Sequence, residues 1–245
     1  MTDIVTRHYD TLLAAHYTWM FGMPFTAKVA EQRDMLAGLG VAPGDHGTAI
    51  DLGCGPGFQS IALAELGFDR VVAIDTSATL LQELDAHKGD LPIETVRADM
   101  RDFDRRVPAG SAEAIVCMGD TLTHLASRAD VSDVLAKARD ALQPGGVLIL
   151  TFRDLSAELT GLDRFLPVHA DADRIMTCML EYEPETVVVN DLVHVREGER
   201  WTLRKSSYRK LRLSPAALVA ELAGLGLAIR HNAPWGRMHA IVAAR

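Results

Sequence analysis

Between Gly47 and Phe152 the chain alternates short, nearly unbroken apolar runs with longer stretches whose apolar positions recur at helical spacing. The runs are TAIDL (48–52), RVVAI (70–74), IETVR (93–97), AEAIVCM (112–118) and VLILTF (147–152). Between them, IALAEL (61–66), LLQELDAH (80–87) and VSDVLAKARDAL (131–142) read as helices. Strands that are apolar throughout are buried on both faces, and strands separated by helices pair in parallel. Five parallel strands covered on both sides are therefore predicted. Upstream, Val5, Tyr9, Leu12, Leu13, Tyr17 and Met20 keep helical spacing over 4–20, and Phe25, Val29, Leu36 and Leu39 repeat it after Pro24. Two helices should precede the sheet.

The rhythm changes near Arg174. From there to Leu213 the sequence alternates without helical spacing and has a turn signal at Glu197-Gly198-Glu199, which predicts three antiparallel strands. Ser214-Pro215 offers an N-cap followed by proline at the first helical position, opening a helix through about Ala223. Two last strands, near 227–231 and 239–244, would complete the main sheet. The expectation is one domain over 1–245, with a helical lid (1–46), a core (47–152), an antiparallel cap insertion (153–213) and a C-terminal helix and strand pair (214–245).

Charge and composition narrow the partners. With 48% hydrophobic and 24% charged residues the chain is an ordinary folded protein, and its net charge of −8 argues against a phosphate backbone as main partner. Cys54, Cys117 and Cys178 are odd in number and far apart, so they suggest neither a disulfide framework nor metal-ligand spacing. The nine histidines form no H-x-x-x-H pair with a matching carboxylate, and no metal is expected. No run approaches the 18 apolar residues of a membrane span, and Asp3, Arg7 and Asp10 interrupt any signal-peptide core. A cytoplasmic protein, free of membrane and nucleic acid, is the expectation.

The chemistry concentrates in AIDLGCGPGFQS (49–60), where a buried strand enters a glycine-rich turn and then a helix. Gly53, Gly55 and Gly57 permit positive φ and close approach of a ligand to the backbone, and the helix N-terminus presents free N–H groups. A dinucleotide fingerprint would need glycine where Phe58 stands. The spacing D-x-G-x-G-x-G, beginning at Asp51, instead resembles motif I of class I S-adenosyl-L-methionine (AdoMet)-dependent methyltransferases. Asp75 closes the second strand, where a carboxylate can accept hydrogen bonds from ribose hydroxyls, with Thr76 beside it. Asp99 follows the third strand; in the family that position approaches the adenine amino group while the next N–H, here of Met100, meets the ring. Met118 ends the fourth strand beside the expected adenosyl and methionine groups. The resemblance implies an α/β fold, a Rossmann-like seven-stranded methyltransferase sheet with an N-terminal helical lid and an antiparallel insertion after strand five, and AdoMet as cofactor.

CMGDTLTHL (117–125) resembles the G-N-S-x-x-H-L stretch of small-molecule methyltransferases such as the glycine and sarcosine N-methyltransferases, with Asp120 in place of the usual Asn. An anionic Asp120 would repel a substrate carboxylate unless a cation intervenes. His124 is the general-base candidate, with Asp120 beside it. The segment 8–22 resembles the family's lid helix, so Tyr17 and Trp19 are expected over the cofactor and Tyr9 towards the substrate. Arg200, Arg204, Lys205, Arg209, Lys210 and Arg212 form a cationic stretch; Arg204, Tyr208 and Arg209, with Arg153 past strand five, are candidates for holding an anionic substrate. A small-molecule substrate methylated on N or O is the leading reading. AdoMet chemistry other than methylation, a non-catalytic AdoMet-binding module and a nicotinamide-dependent reductase are the alternatives. An antiparallel insertion often serves dimer contacts, which makes a homodimer a candidate.

Overall fold

The computed structural model describes residues 3–44 and 47–245, so the expected lid boundary at His46 lies outside the described residues. The main sheet contains β1 (Thr48–Leu52), β2 (Arg70–Asp75), β3 (Ile93–Arg97), β4 (Ala112–Cys117), β5 (Leu142–Phe152), β10 (Ala228–Trp235) and β11 (Met238–Ala244). Their spatial order is β10-β11-β5-β4-β1-β2-β3. β1 to β5 pair in parallel, and β11 runs antiparallel between β5 and β10.

Strand periodicity divides the core between two helical layers. Ile50, Leu52, Val72 and Ile74 pack with Val134 and Leu135 of α5 (Arg128–Ala141) and Leu218 and Leu222 of α6 (Pro215–Gly224). Ala49, Val71 and Ala73 face the other way, against α2 (Phe25–Gly38) and α3 (Phe58–Glu65). Each fully buried Leu or Ile contributes about 1.5–3 kcal/mol. The helices begin where the sequence supplies caps: Ser77 Oγ accepts from Leu80 N at 3.4 Å opening α4 (Ala78–His87), and Ser214 Oγ accepts from Ala217 N at 3.2 Å with Pro215 at the first position of α6.

Three elements differ from the sequence expectation. The single helix over 4–20 is instead α1 (Asp3–His8), a π-helical turn over Tyr9–Leu13, and 3₁₀ turns over Ala14–His16 and Trp19–Phe21. The segment packs simultaneously on the cap, through Val5, Leu12 and Leu13, and on the main core, through Tyr17 and Phe21. No regular helix presents all of these in the required directions, and the extra residue of a π-turn re-aims them. β5 starts at Leu142 rather than at 147: Leu142 pairs with Ala112, the register then shifts, and Val147 pairs with Ala114. The cap has four antiparallel strands rather than three, β6 (Phe165–Ala170), β7 (Arg174–Tyr182), β8 (Thr186–Glu197) and β9 (Arg200–Leu211), in that spatial order. Pro167 disguised β6, since proline is tolerated in a strand chiefly at a sheet edge or bulge, and β6 has both.

Candidate active site

The chain runs from β1 outward through β2 and β3, then returns to place β4 on the other flank of β1. A ligand crevice is expected beyond the C-terminal ends of the strands at such a reversal. A narrow cleft opens there, lined by Tyr9, Tyr17, Gly53, Gly55, Asp75, Thr76, Leu80, Thr121 and His124.

Its floor is the glycine turn. Gly53 N and Cys54 N both donate to Ile74 O, at 2.8 and 3.0 Å, tying the turn to β2. Two glycines there are forced by packing as well as by φ: a Cβ on Gly53 would lie 2.1 Å from Thr121 Cγ2, and one on Gly57 (φ 93°) 2.1 Å from Leu84 Cδ1. At Gly55 a Cβ would meet only Tyr17 Cε1, at 3.7 Å, so this glycine faces the open cleft beneath the lid. Asp75 accepts from Gly55 N at 2.9 Å and Ser77 N at 2.8 Å; burial pushes its carboxyl up, and these N–H groups oppose the shift.

Asp51 does not reach the cleft. It is buried, accepts from Ser60 Oγ at 2.6 Å, and burial pushes it up to about 7 against that hydrogen bond. Its role is to pin β1 to α3. Gly57 likewise shapes the turn from behind. Asp99 caps the 3₁₀ turn Met100–Arg105, accepting from Arg101 N at 2.9 Å and pairing with the Arg101 guanidinium at 2.9 Å. Met100 and Met118 are buried in the two core layers.

On the opposite wall, Tyr9 Oη and His124 Nε2 are 3.3 Å apart, and the His124 ring meets that of Tyr9 edge-on and that of Tyr208 tilted. Burial, then the nearby Lys210 cation, lower His124 to about 3, so its imidazole is neutral at neutral pH. Burial pushes the Tyr9, Tyr17 and Tyr208 phenols up, keeping them protonated. His124 Nδ1 is buried and has no hydrogen-bond partner.

Asp120 holds the charged centre of this wall. It is the only non-glycine residue of positive φ (74°) among those described. Its Oδ1 accepts from Arg153 N at 2.6 Å, and its Oδ2 accepts from Arg153 Nη1 and from Lys210 Nζ at 2.9 Å. Burial would raise its pKa, but the two cations hold the carboxyl well below the usual range. Asp120 is therefore an ionised clamp between β5 and β9, with no capacity to act as a base.

Tyr9, Tyr17, Gly53, Gly55, Asp75, Thr76 and His124 line one cleft; Asp120, Arg153 and Tyr208 lie against its wall. Trp19 does not line it: its indole donates to Asp171 Oδ2 at 2.5 Å and stacks near His169 and Arg174. Arg204 is exposed and pairs with Glu197 at 3.4 Å. Three contributors were missed. Lys210 shares a strand face with Tyr208 two residues earlier, a period-two signal that was available. His8, whose Nε2 is 3.0 Å from Asp191 Oδ2 in a buried pair and whose ring lies 4.3 Å from that of Tyr208, carried no local signal, nor did Thr121.

Residues 49–146 match the family model described as a methyltransferase domain. With the strand order and glycine turn above, this segment is a class I AdoMet-dependent methyltransferase domain. A glycine/sarcosine N-methyltransferase from Halorhodospira halochloris is 39% identical over 107 residues, covering 43% of this chain and 39% of its own length. A cypemycin N-terminal methyltransferase from a Streptomyces species is 36% identical over 149 residues, covering 54% and 57%. The chain spans about two-fifths of the length of the first curated relatives it matches. The fold as a whole is similar to that of the CcbJ methyltransferase from Streptomyces caelestis, with a TM-score of 0.77 at 21% identity over 96% of both chains.

Proposed function

We propose that this chain transfers a methyl group from AdoMet to a nitrogen of a small soluble metabolite, with an oxygen nucleophile as the second choice. The observation that carries the reading is the joining of two half-sites in one cleft. The Gly53–Gly55 turn with Asp75 offers backbone and carboxylate to a nucleoside, and Tyr9 with His124 offers neutral hydrogen-bonding groups beside it. Of the two curated relatives described above, one is named for N-methylation and the other for methylation at an N-terminus, which favours nitrogen. The lid over 1–46 and the cap over 153–213 are the parts assigned to enclosing the substrate.

Displacement at a sulfonium methyl depends mainly on in-line alignment, which a rigid wall supplies. His124 suits that role better than general-base catalysis: with a pKa near 3 it accepts a hydrogen bond readily and a full proton poorly. Asp120 also reads differently with its neighbours in place. Lys210 and Arg153 together outweigh its charge, so a substrate bearing a carboxylate meets a net cationic wall, and Arg153, half exposed, is the group to receive it.

Calorimetry with AdoMet and S-adenosylhomocysteine on the wild type and Asp75→Ala tests the cofactor half. Micromolar binding that weakens about tenfold or more, roughly 1.4 kcal/mol, in the variant is expected. The substrate half is tested by S-adenosylhomocysteine release with amine, amino-acid and phenol panels. Binding of NAD(H) in place of both ligands would overturn the proposal.

A further inference from the structure

The outward face of the cap sheet carries large apolar side chains among its polar ones. An antiparallel sheet with one wet face normally alternates apolar-in with polar-out. Here Phe165, Ile175, Trp201 and Leu203 all project from the outer face at 40–46% exposure, with half-buried Met179, Val188 and Leu192 between them. Contiguous exposed apolar surface of this kind marks an interaction site. No element of this chain covers it among the described residues.

We infer that this face is where a second copy of the chain docks, forming a two-fold dimer by face-to-face packing of two cap sheets. The first support is self-complementarity. Cross-strand rows run Ile175–His194–Leu203, Thr177–Leu192–Lys205, Met179–Asn190–Ser207 and Glu181–Val188–Arg209. Glu181 and Lys205 therefore lie diagonally about Asn190, at equal offsets of one strand and one row. A two-fold axis in the plane of the interface, passing over Asn190, brings Lys205 over the partner's Glu181 and repeats the contact in reverse, as an isologous interface requires. On this face Arg209 pairs with Glu183 within the chain, whereas Lys205 and Arg196 have no ion pair among the described residues and Glu181 only an amide, Asn190 Nδ2 at 3.0 Å; of the two open cations Lys205 is the one that stands opposite Glu181 about Asn190.

The second support is shape: four strands at about 4.8 Å spacing and about nine residues at 3.4 Å per residue make a broad face on which a second sheet can lie crosswise. The dimer has a consequence for the cleft: the interface strand β9 carries Tyr208 and Lys210 on its other face, so docking braces the wall that holds Asp120.

Sedimentation velocity on the full chain, a 26.7 kDa protomer, tests the inference. The wild type should be dimeric at about 10 µM, and Lys205→Glu should raise the dimer Kd about tenfold or more. Adding Glu181→Lys should restore association to within about threefold of wild type, because the swapped charges again face one another. Ile175→Glu with Leu203→Glu should give a monomer whose far-ultraviolet circular dichroism spectrum matches the wild type, showing that the substitutions act on association and not on the fold. A wild type that stays monomeric at about 100 µM, or a dimer indifferent to all of these substitutions, overturns it.

Discussion

The two halves of the cleft are built by opposite means. On the β1–β2 side the ligand surface is mostly backbone: a glycine turn, its N–H groups, and one carboxylate oriented by two of them. On the β4–β9 side it is side chains: phenols and imidazoles packed ring to ring around an Asp–Arg–Lys clamp. A backbone surface tolerates little variation in residue size but is indifferent to charge beyond it. A side-chain surface can be re-specified by single substitutions, so the first half suits a constant cofactor and the second a variable substrate.

The largest expected effect attacks the backbone half. Gly57→Ala combines a positive-φ penalty with overpacking against Leu84, and urea unfolding should show a loss of about 2–5 kcal/mol. Next, Lys210→Met removes one cation from buried Asp120 while Arg153 remains; a loss of about 2–3 kcal/mol is expected, read the same way. If Lys210→Met were neutral, the clamp would be no part of the wall's construction.

A smaller effect separates the halves by pH. His124 is depressed from 6.5 to about 3, so the stability linked to its neutral form is complete above pH 6.5 and is lost progressively as pH falls towards 3. Asp51 is raised from 3.8 to about 7, so its contribution has the opposite sign: complete below 3.8 and lost as pH rises through 7. Replacing His124 with Gln should remove an acid-side loss on the order of 1–2 kcal/mol between pH 6.5 and 5, visible as a flatter Tm profile. The smallest effect is Arg204→Ala, a surface change that should leave AdoMet affinity within about twofold by calorimetry.

Legibility in the sequence follows the same division. The glycine turn and Asp75 were readable because each is a local pattern, a strand end with a fixed spacing to its neighbours, and the parallel strands were readable from unbroken apolar runs. The other wall is assembled from four separated stretches, around His8, Asp120, Arg153 and Tyr208, whose juxtaposition exists only after the cap folds back. Trp19 illustrates the limit. The likeness of 8–22 to a lid helix put Trp19 with Tyr17 over the cofactor, but the 3₁₀ turns over Ala14–His16 and Trp19–Phe21 break that helix and direct the two rings to different surfaces. β6 was hidden because Pro167 is informative only once a strand is known to be an edge.

The attachment of Trp19 has a kinetic meaning. Its indole is gripped by Asp171, His169 and Arg174, all on or beside the hairpin joining β6 and β7, while Tyr17 two residues earlier covers Gly55. With AdoMet bound as proposed, between the glycine turn and Tyr17, its exchange would require either that this grip release or that the hairpin travel with residues 9–21. Product residence time would then depend on a contact well outside the cleft, where it can be tuned without disturbing a single reacting group.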